Sequence, residues 1–194
     1  MTAANSKEAL LARVLDYAAA DGIADRSLRE IAAGVGTSHR MLLYHFGSRE
    51  GLLAAIVGAM EAQQRRSMAA MADQAGPPEE IMRRLWRQVS SAELRPYVRL
   101  FFEVFALAGR GAPGTGQLLA DLTRPWVEEA VAVAERIGLP PDPAAMRLSV
   151  AASRGLLLDL LAGAPRDEVD AAHELLVTLL SANGAEPSGN ARPS

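Results

Sequence analysis

The stretch from Ser27 to Leu53, SLREIAAGVGTSHRMLLYHFGSREGLL, constrains the fold more than any other part of this 194-residue chain. It reads as two short helices joined by a tight turn, with a third helix starting at once. Ser27 can accept a first-turn amide, and Glu30, three residues on, can reach back to the Ser27 amide, which is a capping box. Leu28, Ile31 and Ala32 then share one apolar face at helical spacing. Gly36 adopts a positive φ at little cost, so the chain can reverse there. Ser38 suits the cap of the next helix, His39 to about Tyr44, which carries His39, Arg40 and Tyr44 outward while Leu42 and Leu43 are apolar. Ser48 caps the third helix, and Glu50 in its first turn is favoured by the macrodipole. The layout is that of a helix-turn-helix, whose second helix can enter a DNA major groove.

The rest of the chain reads as further helices, with no β-alternation of useful length and no internal repeat. Residues 1–5 are expected outside the first helix, Lys7 to Asp21, whose apolar face is Leu10, Leu11, Val14, Leu15 and Ala18. The third reader helix continues through Met71. Gly76-Pro77-Pro78 punctuates before a helix from Glu79 to Leu94. Pro96 to Ala108 is apolar almost all round, which marks a central helix. GRGAPGTG (109–116) reads as a flexible loop. Gln117 to Gly138 is helical, with a kink or break forced by Pro125. Asp142 and Pro143 start a helix to about Ala162, and Asp167 starts a last one to about Ala182. The expected fold is all-α with about nine helices: a DNA-binding domain over 1–50, a helical effector-binding and dimerisation domain over 51–182, and a disordered tail over 183–194.

Composition narrows the function classes. There is no cysteine, hence no disulfide framework and no thiolate metal site. No leader or membrane-spanning run is evident, which fits a cytoplasmic bacterial protein with no membrane partner. The net charge of −3 is unusual for a DNA binder, and residues 1–50 balance six Lys or Arg against six Asp or Glu. Asp16, Asp21 and Asp25 precede the reader, however, whereas Arg40, His45 and Arg49 cluster on it and just after it. The histidines are His39, His45 and an isolated His173, so no metal triad is available, and no nucleophile motif or phosphate loop is present. No enzyme, metal or cofactor is expected.

At Ile31-Ala32, Gly36, Ser38, Tyr44-His45-Phe46 and Arg49-Glu50-Gly51-Leu52 the chain resembles the TetR (tetracycline-repressor) family of bacterial transcriptional regulators. Those motifs lie in about the first quarter of the chain; beyond it only helical layout and length agree. Leu43 departs from the family, which usually carries there a Tyr that touches a DNA phosphate, and Arg49 replaces the usual Lys.

The resemblance implies a homodimer holding double-stranded operator DNA, and a small effector among the middle helices. The DNA-facing candidates are Ser27, Thr37, Ser38, His39, Arg40, Tyr44, His45 and Arg49. Candidate pocket residues are Met68, Met82, Trp86, Phe101, Phe102, Phe105 and Trp126, suited to a largely apolar ligand. In the family the last two helices meet their mate in a four-helix bundle, which here designates Ala151, Ala152, Gly155, Leu175, Leu176 and Leu179. The same leucine stripes could also close the chain's own core. The resulting expectation is a one-component repressor released from a near-palindromic operator by its effector; the alternative is a helical ligand- or protein-binding module without DNA binding.

Overall fold

The computed structural model describes residues 3–185 apart from Ala24 and Ala75. The described residues contain ten helices and no strand: α1 (Ala3–Asp21), α2 (Leu28–Gly34), α3 (His39–Phe46), α4 (Arg49–Ala72), α5 (Pro78–Val89), α6 (Arg95–Gly109), α7 (Gly116–Ala120), α8 (Arg124–Ile137), α9 (Pro143–Ala162) and α10 (Arg166–Ala185). The count exceeds nine because the helix expected over 117–138 is two. Pro125 lies in the first turn of α8, where its missing N–H leaves no bond unmade, and the chain breaks ahead of it. At the N-terminus α1 starts at Ala3, within the stretch expected to be loose. At the other end α10 reaches Ala185, past the expected start of the tail, whose remainder lies outside the described residues.

The helices form two compact units. One comprises residues up to Ala62 together with Arg99–Asp121; the other comprises Gln63–Val98 together with residues from Leu122 onward. Helices α4 and α6 therefore each contribute to both.

In the first unit, Leu10 and Val14 of α1, Leu28 and Ile31 of α2, Leu42 and Phe46 of α3, and Leu52, Leu53, Ile56 and Val57 of α4 are buried. Leu100, Phe101 and Val104 of α6 belong to the same set of buried residues. The loop after α6, expected to be flexible, is pinned. Thr115 is fully buried and its hydroxyl donates to the Ala112 carbonyl at 2.7 Å. The Ser48 hydroxyl donates to the Pro113 carbonyl at 2.8 Å.

In the second unit, α8, α9 and α10 bury Val127, Ala134, Met146, Leu176 and Leu180 together, with Met82 and Ala152 packed against them. Beside this cluster, a polar network joins α5 to α10. The Trp86 indole N–H donates to Asp170 at 2.7 Å. Arg166 grips the Asp170 carboxylate at 2.8 and 2.9 Å, and also donates to the Ser90 carbonyl and hydroxyl, both at 2.8 Å. Helix α5 ends at Val89 rather than running on to Leu94 as its sequence allows: the Ser91 amide turns to the Gln88 carbonyl, and Arg166 holds the Ser90 that caps the helix. His173, isolated in the sequence, stacks on Trp86 with ring centroids 4.7 Å apart.

Burial lowers the pKa of His173 below its ordinary value; Glu174 and Asp170 pull it up and Arg83 pulls it down, without reversing that. Neutral His173 thus contributes its full stability above the ordinary value of 6.5, and the contribution is lost as pH falls from there through the depressed folded value. Asp170 acts in a lower window: burial raises its pKa, but hydrogen bonds from Arg166 and Trp86 outweigh that and hold it below 3.8. The midpoint of urea unfolding is expected to fall between pH 7 and pH 5, as the unfolded chain takes up the proton the fold refuses. His173→Phe, which keeps an aromatic face for Trp86, should flatten that fall; a variant whose midpoint tracks the parent across the window would refute the assignment.

Candidate nucleic-acid interface

Helix α2 is fixed at both ends by local chemistry. The Ser27 hydroxyl accepts the Glu30 amide at 3.3 Å and the Glu30 carboxylate accepts the Ser27 amide at 2.8 Å, completing the capping box. The side chain and backbone of Ser27 also hold the Glu30 carboxyl below its ordinary value. At the far end the Thr37 amide reaches back to the Ala32 carbonyl at 2.9 Å, across Gly36 at φ +64°. Arg13 of α1 donates to the Val35 carbonyl at 3.2 Å, tying the turn to the first helix. Gly34 lies against the Tyr17 ring so closely that a Cβ there would enter it.

Helix α3 starts at Ser38, whose hydroxyl accepts the Met41 amide at 3.2 Å. Its inner edge is Leu42 and Phe46, one turn apart and both buried. The opposite face at 3.6 residues per turn consists of Arg40, Met41 and Tyr44, with Leu43 beside it. All four are exposed, Tyr44 at 73%, Met41 at 39% and Leu43 at 38%. No acidic residue occurs between His39 and Phe46. Thr37 and His39 are half-buried, and His39 falls nearer the inner edge than the outer. Helix α4 begins where the Ser48 hydroxyl accepts the Gly51 amide at 2.9 Å while donating to Pro113. There Gly51 meets Gly114 so closely that a Cβ on Gly114 would lie 2.8 Å from the Gly51 Cα.

Of the expected DNA-facing residues, Arg40 and Tyr44 stand on the outer face of α3. Ser27 and Ser38 are exposed, with their oxygens accepting helix-capping amides; the Ser38 hydroxyl retains its proton for one further acceptor. Two of the expected residues are engaged within the protein. His45 turns its Nε2 into the protein, where that atom is buried without a hydrogen-bond partner, and its ring packs between Tyr44 and Phe46 at 5.0 and 6.4 Å. Arg49 donates its Nε to the Arg26 carbonyl at 3.0 Å and so ties α4 to the segment before α2. Met41 and Leu43 were not among the expected contacts. Their exposure was readable from Leu42 and Phe46 alone, since two inward residues four apart fix which way the others point.

The seven candidate pocket residues divide between the units. Phe101, Phe102 and Phe105 lie in the first, where Phe101 meets Phe102 edge-on at 5.1 Å and stacks with Phe105 at 6.5 Å. Met68, Met82, Trp86 and Trp126 lie in the second. Trp86 is a packing residue rather than a pocket wall: it is buried, its N–H is held by Asp170 and its face is covered by His173. Met82 packs on the α8–α9–α10 cluster, and Trp126 has the Arg65 guanidinium over its ring at 5.8 Å.

The dimer candidates also sort by exposure. Leu175 and Leu179 are 60% and 55% exposed, and Ala151 and Gly155 are exposed beside Leu148 and Leu158 on α9. Leu176 of α10, at 8%, and the partly buried Ala152 of α9 belong instead to the chain's own core, packed with Val127, Ala134 and Met146.

Residues 16–56, from within α1 to within α4, match the family model of bacterial regulatory proteins of the tetR family. No curated protein matches the chain. Among solved structures, a transcriptional regulator from Rhodococcus sp. Rha1 aligns at TM-score 0.67 and 20% identity, over 94% of this chain and 100% of that one. FadR from Thermus thermophilus, a TetR family transcriptional repressor in complex with lauroyl-CoA, aligns at 0.65 and 15% over 97% and 99%. The multidrug binding protein EbrR complexed with ethidium aligns at 0.64 and 23% over 89% and 96%. These structures share the fold of this chain. Among the described residues no helix is long and apolar enough to cross a membrane.

The Gly34–Tyr17 contact gives a test of the reader's frame. Ala is a better helix former than Gly by about 1 kcal/mol. Gly34→Ala should nonetheless lower the melting temperature, because the methyl group displaces the Tyr17 ring. In a Tyr17→Ala background the same change should be neutral or stabilising. Equal effects in both backgrounds would show that the contact does not set the packing of α1 on α2.

Proposed function

We propose, on the premise that the match of residues 16–56 puts the chain in the tetR family of bacterial regulatory proteins, that it is a repressor that leaves its operator when a small molecule binds. The observation that carries the DNA-binding half is the outer face of α3. An acid-free helix presents Arg40, Met41 and Tyr44 to solvent, within a helix-turn-helix whose turn and caps are all made. A side-chain guanidinium on a helix of that kind can pair with guanine in the major groove, and nearby hydroxyls and amides can take phosphates.

The homodimer is supported by the exposed stripe of α9 and α10. Leu148, Ala151, Gly155 and Leu158 recur at three and four residues along α9, beside Leu175 and Leu179 of α10. Small residues interleaved with leucines suit helix–helix contact, and the area is too apolar to favour water. A two-fold partner would set two copies of α3 about 34 Å apart, one turn of DNA.

The effector half is supported by solved proteins of this fold, FadR with lauroyl-CoA and EbrR with ethidium, whose ligands offer a twelve-carbon acyl chain and a flat aromatic cation respectively. We assign the effector to the second unit, with Met68 and Trp126 as its remaining candidate contacts. Helices α4 and α6, which contribute to both units, are the routes by which occupancy could bias the reader. Occupancy then favours a spacing of the two readers that no longer fits successive grooves.

Selection from a random duplex pool should return a near-palindrome. Arg40→Ala should cost about 1–3 kcal/mol on that duplex and relax preference at one base pair per half-site. A pool with no enriched sequence would overturn the reading in favour of a helical module without DNA binding.

The dimer face has its own test. Leu175→Glu with Leu179→Glu should give a folded monomer by light scattering, since both side chains are exposed in one chain. Leu176→Ala should instead destabilise the fold, by about 2–5 kcal/mol, without a specific effect on assembly. A parent that is monomeric at micromolar concentration would remove the dimer from the proposal.

A further inference from the structure

We propose that Met41 and Leu43 make this reader select thymine, by packing on the 5-methyl group that projects into the major groove; the inference rests on the DNA-binding reading above. Both side chains are saturated and apolar, and both are more than a third exposed on a helix only eight residues long. A single exposed apolar side chain needs no explanation. Position distinguishes these two. Met41 is the third residue of α3, in its first turn, and flanks Tyr44 on the side away from Arg40, while Leu43 flanks Arg40 on the other side of the outer face. Residues near the start of a reader helix are those that reach base edges.

The chemistry of the groove then selects the occupant. Among the four base edges only thymine offers an apolar group; the others present acceptors or an amino donor. Met41 laid against a cytosine amino group would strip that donor of water and give it no acceptor, which penalises the wrong base. Against a thymine methyl, the same side chain gains contact and leaves nothing unpaired. Its flexible, polarisable thioether can settle on a methyl whose position is not rigidly set. Leu43 has no polar atom, so it cannot hold a phosphate from its place beside Arg40, and apolar contact is the only interaction open to it. The occupant is a duplex rather than a protein surface on charge grounds: α3 carries Arg40 and no carboxylate, which complements a polyanion.

The test replaces each thymine of the selected half-site, one at a time, by deoxyuridine, which keeps every hydrogen-bonding group and removes only the methyl. For the parent protein, one or two positions per half-site should lose about fourfold in affinity, the worth of one buried methyl group. In Met41→Ala or Leu43→Ala that loss should vanish at the matching position while other positions behave as before. Both side chains are exposed, so neither variant is expected to unfold. Specific binding indifferent to every deoxyuridine would overturn the inference and leave the DNA-binding reading standing, as would a loss that both variants retain or a preferred half-site without thymine. A pool that enriches no duplex would overturn both.

Discussion

Everything the reader can do depends on the burial of Leu42 and Phe46. Helix α3 has eight residues, too few to hold together in water on hydrogen bonds alone. It persists because those two side chains, one turn apart, are locked inside the unit that also buries Ile31, Leu52 and Ile56. Anchoring the inner edge fixes the helix about its own axis. That rotation is what presents Arg40, Met41 and Tyr44 outward and turns His45 inward. Gly47, at φ +77°, then lets the chain leave α3 and start α4 within two residues.

The opening of α4 is constrained from two directions. Ser48 caps the helix and at the same time holds Pro113, and Gly51 admits Gly114 to backbone contact. One hydroxyl and two missing side chains therefore make the loop after α6 part of the reader's support. A larger residue at Gly114 would push that loop away from α4, and one at Gly51 would run into the Phe46 carbonyl. The chain is net acidic, yet this does not conflict with DNA binding, since the sign that matters is that of the face presented. On α3 that face carries Arg40 and no acid.

The second unit divides its leucines between two duties. On α10, Leu176 and Leu180 close the chain's own core, while Leu175 and Leu179, one position earlier in each case, stay exposed. A helix with leucine at adjacent positions every four residues has two apolar edges, and only one can be satisfied within a single chain. The network of Trp86, Asp170, Arg166 and Ser90 sets which edge turns inward, because it clamps α10 to α5 at a fixed rotation. The exposed edge is left over by that clamp, which is why it suits a second copy.

The caps, the turn at Gly36, a kink or break at Pro125 and the ends of α9 were legible in the sequence. Each depends on residues within about four positions of one another, and local hydrogen-bonding chemistry decides it. The all-helical class was legible for the same reason. Tertiary structure alone decided the rest. The end of α5 is held by Arg166, 76 residues from the Ser90 it grips, and the pinned loop by a hydrogen bond between residues 65 apart. Trp86 reads as a pocket wall until Asp170, 84 residues away, takes its N–H. Leu176 and Leu179 are the same residue type on the same helix, and only the rotation of α10 against its neighbours makes one of them core and the other surface. Periodicity states that a helix has an apolar face; which neighbour covers that face is set by contacts between distant segments, and those exist only once the chain has folded.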